Sequence, residues 1–364
     1  MLDYYLEELL RFLKSDFKDF NVVLMPDFFL DRLVSLKWSL KSLSENLGKV
    51  AQRKGGSIDG IEQTELRGGN AINTASALAA LDAKVTPIVC TNNLGLRLIK
   101  FYLRPYKVDL SHVKIFDKAS ITTAIEFESK SGRVNVMLRD VGALADFGPQ
   151  HLNSGDFEAI EKADYVCVFN WAGTRRYGTA FAKTVFHHVK TKGKGKAYYD
   201  TADPTPNKEK IPELVRDVLQ EKHVDILSVN ENEAILYASQ LSDEIEKLGK
   251  KLRFEELAKE SARILASHLS ARVDLHTTSF SATFTKKGET VVPAFKVPVL
   301  RATGAGDAWN AGNILGDAYR LSDGGRLALA NAVAAYYISN SNGVHPTRKQ
   351  LIKFCGKLKR KTAL

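Results

Sequence analysis

Cysteine, methionine and tryptophan each occur only three times in 364 residues, and no apolar run approaches the length of a membrane-spanning helix. Cys90, Cys167 and Cys355 are odd in number and far apart. Neither a disulfide framework nor a zinc spacing can be assembled from them, and a reducing cytoplasm is the expected setting. With no stretch of about 20 apolar residues, no membrane partner is expected. The opening MLDYYLEELLRFLK has acids and tyrosines inside its apolar stretch, unlike a secretory signal. Its leucines and aromatics recur at helical spacing, which predicts an amphipathic helix packed on the body, an extension over residues 1–20. Internal repeats and low-complexity linkers are absent. So is any pattern of a helix-turn-helix, zinc finger or aromatic stacking platform, and nucleic acid is therefore not an expected partner despite the net charge of +10. Much of that charge lies between Arg348 and Lys361. There Leu351, Ile352, Cys355 and Leu358 recur at helical spacing with lysines on the other face, the pattern of a solvated terminal helix.

What is present is ordinary globular composition, 44% hydrophobic and 26% charged, in a chain long enough for a sizeable core. NVVLM (21–25) and LVSLKW (33–38) read as strands, and KGGSIDG (54–60) as a hairpin turn or mobile flap. A helix is expected from Asn70 to Leu81, then a strand VTPIV (85–89). HVKIF, TTAIEF and VNVML are three short strands within 112–138, the last two joined by the hairpin signal SKSG (129–132). Strands YVCVF (165–169), KAYYD (196–200), DILSV (225–229) and RVDLHT (272–277) then alternate with helical patterns, including one at about 208–220. The alternation predicts an α/β fold, a mainly parallel sheet with helices on both faces. The early short strands form a separate small sheet over it, a lid made of segments about 31–66 and 112–138 of one domain spanning 21–364.

RATGAGDAWNAG (301–312) follows a strand-like VPVL (297–300) and opens a helix near Asp307. A turn nearly free of side chains lets backbone N–H groups approach an anion, and the helix N-terminus favours negative charge there. A phosphate is the natural occupant. The dinucleotide pattern GxGxxG fails, because Trp309 stands where its third glycine would fall, and no GxxxxGK followed by Ser or Thr occurs. A plain helix cap with Asp307 near the dipole is the structural alternative.

The turn resembles the TGAGD signature of the ribokinase-like, or PfkB, family of carbohydrate and nucleoside kinases. Four further segments match that family in order from about residue 21 to 346: LMPDFFLDRLV (24–34), RGGNAINTASALAALDA (67–83), VNENEA (229–234) and ALANAVAAYYISNSNGVHP (328–346). The resemblance implies a three-layer αβα sandwich with a small β-sheet lid. It implies a kinase that moves the γ-phosphoryl group of ATP, or another nucleotide, to a hydroxyl of a small sugar or nucleoside, with Mg²⁺. Asp307 becomes the general base, and Thr303, Gly304, Ala305 and Gly306 the anion hole. Asp31, Gly68, Gly69 and Asn73 would bind the acceptor, with Asp27 a lesser candidate at the same strand end. Asn230, Thr277 and Asn331 would lie on the nucleotide, and Glu233 would hold water molecules of Mg²⁺. The alternative for Asn230 and Glu233 is helix capping. The lid's exposed edges suit a homodimer. A phosphorylated acceptor would need extra cations, for which Arg139, Arg175 and Arg176 are the candidates. A non-catalytic nucleotide-binding regulator of the same fold would have no need of Asp307.

The chain also departs from the family. The TxGxxG pattern is eroded to Thr277–Ala282, Asn92 and Asn93 replace acids, and Ala302 stands where the signature has its first Asp, near a monovalent-cation loop. Ala302 supplies no side-chain oxygen, and Arg301 brings positive charge beside it. Activity should therefore be nearly independent of K⁺ at constant ionic strength. The measurement is kcat/KM in potassium, sodium and a bulky organic cation, with ionic strength fixed because a basic protein responds to salt in general. A severalfold preference for potassium would refute it.

Overall fold

The structure is a computed structural model, describing residues 2–129, 132–301, 303–340 and 342–362. Ala302, and Lys130 and Ser131 of the hairpin signal, lie outside the described residues. Strands β1 (Asn21–Met25), β4 (Lys84–Pro87), β9 (Tyr165–Phe169), β10 (Lys196–Asp200), β11 (Ile226–Val229), β12 (Arg272–His276), β13 (Phe280–Thr285) and β14 (Gly288–Pro293) form one sheet. Its order is β14-β13-β12-β11-β10-β9-β1-β4, parallel from β4 to β12 and ended by the antiparallel pair β13–β14.

Side-chain alternation explains the three layers. Val22 and Leu24 of β1, with Tyr165, Cys167 and Phe169 of β9, pack into one core. That core is shared with the helices Asn70–Ala80, Ala305–Ala318 and Asp323–Ile338. Val23, Met25, Val166 and Val168 point the other way, into a core shared with the helices Gly178–Thr191 and Phe254–His268. Strands buried on both faces read as continuous apolar runs, which is why YVCVF and NVVLM were legible as strands.

Strands β2 (Phe29–Ser35), β3 (Glu62–Gly68), β7 (Ser120–Ser129) and β8 (Gly132–Asp140) form a second sheet in the order β3-β2-β7-β8. It differs from the sequence reading in several places. The second strand is Phe29–Ser35, four residues earlier than LVSLKW, because pairing with β3 and β7 starts at Phe29. Between β2 and β3 runs a helix, Leu40–Gln52, so 54–60 is a helix-to-strand loop and not a hairpin turn. That helix buries no residue, although Leu40, Leu43, Leu47 and Val50 recur at helical spacing. The small sheet is thus built from Phe29–Ser35, Glu62–Gly68, Ser120–Ser129 and Gly132–Asp140. HVKIF contributes only β6 (Lys114–Ile115), which pairs with β5 (Cys90–Thr91) away from this sheet. VPVL forms no strand; the Leu300 amide donates to the Ile338 carbonyl, and Val299 and Leu300 are exposed. The helix read at 208–220 is broken into successive turns, Thr205–Lys210, Ile211–Leu214 and Val215–Leu219. The hairpin itself is present, with Ser129 opposite Gly132.

The helix Leu2–Lys14 buries Leu6, Leu9, Phe12 and Leu13 in the same core as Leu351 and Cys355 of the terminal helix Arg348–Thr362. Arg348 Nε donates to the Leu13 carbonyl at 2.7 Å, tying the two ends of the chain together. Leu9 is fully buried, and truncating such a leucine typically costs about 2–5 kcal/mol. Leu9→Ala should lower the urea midpoint accordingly, whereas Tyr4→Ala, at an exposed position, should change stability by less than about 0.5 kcal/mol. Equal effects would mean that this helix does not belong to the cooperative core.

Candidate active site

Two helix N-termini meet at the carboxyl ends of the sheet strands. One belongs to the helix Asn70–Ala80, whose N-cap is Gly69 at φ 91°. A Cβ there would stand 2.7 Å from the Phe28 Cα, so only glycine lets the chain pass this close to β1 and turn into the helix. Glycine has no side chain to cap the helix, and Asp27 does so from the end of β1. Its carboxylate accepts from the Asn70 and Ala71 amides at 2.8 and 2.9 Å, and from Asn170 Nδ2 at 2.7 Å. Burial raises the Asp27 pKa against these hydrogen bonds. With its oxygens so occupied, Asp27 acts as a helix anchor.

The second N-terminus is that of Ala305–Ala318, capped by Gly304 in the left-handed conformation at φ 88°. A Cβ on Gly304 would lie 2.6 Å from the Tyr337 hydroxyl. No side chain caps this helix, so its first amides are left for another partner. Asp307 sits in the first turn, 5% exposed. Asn70 Nδ2 donates to its Oδ1 at 2.8 Å and Asn73 Nδ2 to its Oδ2 at 2.9 Å. Asn73 is itself oriented by Arg67, whose Nε donates to Asn73 Oδ1 at 3.0 Å. Burial, opposed by the Asn73 bond and reinforced by Asp200, pushes the Asp307 pKa up to about 8. This is a carboxyl poised to change protonation near neutral pH.

The glycine turn separates two clefts. The first, about 500 Å³, lies between the small sheet and the main body and is lined by Asp31, Gly69, Asn73, Thr303, Gly304 and Asp307. Asp31 Oδ1 is buried without a hydrogen-bond partner among the described residues, and burial pushes the Asp31 carboxyl up to about 6. Gly68 lies against that carboxyl, which a Cβ would meet at 2.2 Å. The second cleft, about 310 Å³, is lined by Asn230, His276, Thr277, Ala305, Gly306 and Asn331. Asn331 is largely committed: its Oδ1 accepts from Ser281 Oγ and Trp309 Nε1, and its Nδ2 donates to the Pro293 carbonyl. Thr277 Oγ1 caps the turn into β13, accepting from the Ser279 and Phe280 amides.

Asn230 and Glu233 form a capping box on the helix Glu231–Ala238. Asn230 Oδ1 accepts from the Glu233 amide, and Glu233 accepts from both the amide and Nδ2 of Asn230. Glu233 is 2% exposed, and its pKa is held well above the usual range by burial and then by Asp200. Two buried acids this close, with Asp203 and Glu231 behind them, make a region where a divalent cation with its water shell would offset negative charge. The arrangement fits Mg²⁺ held through water at Glu233. Among the described residues no group of three acids, histidines or cysteines forms a direct metal cage.

Sequence reasoning overlooked Asn70, Arg67, His276 and Trp309. Asn70 and Asn73 stand three apart at a helix start, a spacing that puts both amides on one face. His276 Nε2 is buried without a hydrogen-bond partner among the described residues, its ring 4.9 Å from that of Trp309. Arg175 and Arg176 do not border the first cleft. Arg175 binds the Pro206 carbonyl and Asn207, and Arg176 pairs with Asp146. Arg139 does line it.

The pfkB family carbohydrate kinase sequence model matches residues 44–350. No curated protein matches the chain significantly. Among solved structures, the chain is similar to the ribokinase of Cryptococcus neoformans var. grubii serotype A in complex with ADP. The TM-score is 0.69 and the identity 16%, covering 93% of this chain and 99% of that one. It is similar to the fructokinase of Xylella fastidiosa with bound ATP (TM-score 0.66, 15% identity, 95% and 99% covered). It is also similar to the Arabidopsis thaliana ribokinase complexed with ribose and ATP (TM-score 0.64, 19% identity, 93% and 98% covered). The fold is that of ribokinase.

The raised Asp307 carboxyl has a consequence for stability. Folded Asp307 holds its proton up to about pH 8, whereas the unfolded side chain releases it near its ordinary value of 3.8. The folded state thus binds more protons between those limits, and this group's contribution to stability is present below about pH 4 and lost as pH rises towards 8. Asp307→Asn keeps the shape and removes the titration. The variant should gain on the wild type in chemical-denaturation stability from pH 5 to pH 8; a constant difference between the two would contradict the assignment.

Proposed function

Because the chain belongs to the pfkB family of carbohydrate kinases, phosphotransferases with an alcohol group as acceptor, we propose that it transfers the γ-phosphoryl group of ATP to a hydroxyl of a small sugar or nucleoside. One observation carries the reading: the turn 303–306 is the wall shared by two clefts, with Asp307 on one side and Asn230, Thr277 and Asn331 on the other. In this reading the first cleft takes the acceptor, against Asp31, Gly68, Gly69 and Asn73. The second takes the nucleotide, and the uncapped amides of Thr303 through Gly306 hold the phosphoryl group in transit. Mg²⁺, when bound through water at Glu233, supplies positive charge to the nucleotide phosphates.

The acceptor hydroxyl gives its proton to an Asp307 oxygen as its own oxygen bonds to the γ-phosphorus. The bond from that phosphorus to the β-phosphate oxygen breaks, and ADP leaves. Asn70 and Asn73 keep the carboxylate fixed while this happens, so little of the barrier goes to reorienting the base. The four-stranded sheet over the acceptor cleft acts as a lid that keeps water from competing for the phosphoryl group.

Asp307→Asn should lower kcat by at least about 10²–10⁴-fold on the best acceptor while ATP still binds, since a general base contributes that much. In the wild type, kcat/KM should climb about tenfold per pH unit below pH 8 and level off above it, because the protonated form cannot act as base. A variant with nearly normal turnover, or a flat profile from pH 5 to 8, would refute the role given to Asp307.

A further inference from the structure

The first cleft holds more positive charge than a neutral sugar needs. Arg67 on β3, Arg139 on β8 and Arg301 just before the glycine turn all line it, although they come from three separate elements. Their contacts are with neutral groups. Arg67 meets Asn73 and, at 3.1 Å, His345 Nδ1. Arg139 lies over the Phe29 ring at 5.0 Å, and Arg301 over the Tyr337 ring at 5.1 Å. Arg301 Nε is buried without a hydrogen-bond partner among the described residues. The structural arginines of the core are treated differently: Arg272 pairs with Asp274 and Asp317, and Arg326 with Asp274 and Asp323.

The acids of the cleft do not answer the three guanidinium groups. Both Asp307 oxygens are taken by Asn70 and Asn73. Asp31 feels Arg139 and Arg301, but it is one carboxyl, and burial disfavours its charge. Glu62 and Glu126 also line the cleft, yet both stand opposite Ser35, four residues along β2 from Asp31. At about 3.3 Å per residue that is roughly 13 Å away. Arg139, opposite Thr122 in the row of Asp31, is at the near end.

We propose that the acceptor is a sugar derivative bearing an oxyanion group, a phosphate ester or a carboxylate, which Arg139 and Arg301 bind while its hydroxyl faces Asp307. This rests on the reading of the first cleft as the acceptor site. A guanidinium presents a fork of N–H donors that matches two oxygens of such a group, and Arg301 Nε gains the partner it lacks. A neutral sugar would leave that buried donor unmatched, at a cost in affinity.

The test is calorimetric titration of wild type, Arg139→Gln and Arg301→Gln with matched probes: ribose and ribose 5-phosphate, fructose and fructose 6-phosphate, glucose and gluconate. Phosphoryl transfer from ATP to the same probes is measured in parallel. At least one anionic member should bind ten or more times tighter than its neutral parent. Each arginine variant should remove that preference by roughly tenfold to a hundredfold, chiefly in Kd and KM, as expected for hydrogen bonds to charged groups. Whether phosphate or carboxylate is meant follows from which pair shows it. Should Arg301→Gln fail to fold in a thermal melt, Arg139→Gln, on an exposed stretch of β8, decides alone. Equal binding within every pair, or an unchanged preference in Arg139→Gln, overturns the proposal. Turnover of neutral sugars without preference overturns it and leaves the kinase reading standing. Tight, arginine-dependent binding of an anionic probe with no transfer to any acceptor does the reverse.

Discussion

A single buried carboxylate between two asparagine amides organises the site. Asp307 has no cation within ion-pairing distance among the described residues, so its position is set by Asn70 Nδ2 and Asn73 Nδ2. That choice has a chemical meaning. An arginine or lysine partner would hold the acid ionised and weakly basic, whereas amides orient it and leave burial free to raise its pKa. Each asparagine must in turn be held. Asn70 and Asn73 are fixed because Asp27 caps the start of their helix, and Asp27 is fixed by Asn170. A chain of neutral and anionic hydrogen bonds thus links β1, β9 and two helix starts, and none of its members can be exchanged for an apolar residue without freeing the next.

The helix behind Asp307 is anchored in the same way. Asp307, Asn310, Asn313 and Asp317 recur at spacings of three and four, forming a polar stripe on a buried helix. Asn310 receives the Tyr198 and Ser228 hydroxyls and donates to Asp200, and Asn313 donates to Asp274. Asp317 closes the stripe with Tyr165, Lys196 and Arg272. Successive strands of the sheet therefore each grip the helix at a defined height. An apolar interface would tolerate sliding by a fraction of a turn; this one does not, because a shift would leave several buried polar groups unpaired at once. The glycine turn is placed by that register.

The legible part of the chain follows from this logic, and so does the rest. YVCVF and KAYYD matched β9 and β10 residue for residue, since strands buried on both faces leave an unbroken apolar signal. The small sheet was less legible. Its hairpin was read, since TTAIEF and VNVML fall inside β7 and β8, although Val136, Met137 and Leu138 are all exposed and Asn135, Met137 and Arg139 line the cleft. Its other half was missed: LVSLKW placed β2 four residues late, β3 is a mostly polar run, and the helical spacing of Leu40, Leu43, Leu47 and Val50 was passed over. At the site, glycines and Asp307 stood out because their chemistry is local. Arg67 did not, because a surface arginine and a cleft arginine look alike until the fold brings them to the site, and Arg301 was legible only as positive charge beside the turn.

The same comparison explains where the cleft's two charges come from. Of the acids that line the cleft, Asp307 belongs to the body, at a helix start with amide donors as partners, whereas Asp31, Glu62 and Glu126 sit on the small sheet. Of the four arginines that line the cleft, Arg32, Arg67 and Arg139 sit on the small sheet and Arg301 on the connection before the turn. Chemistry on a fixed carboxylate needs sub-ångström placement, which packed helices supply. Long cationic side chains tolerate a few ångströms of play, because charge attraction falls slowly with distance and a guanidinium can follow its partner. Asp307 is thus held by packed helices, while the arginines of the small sheet have the reach to follow a group that enters the cleft.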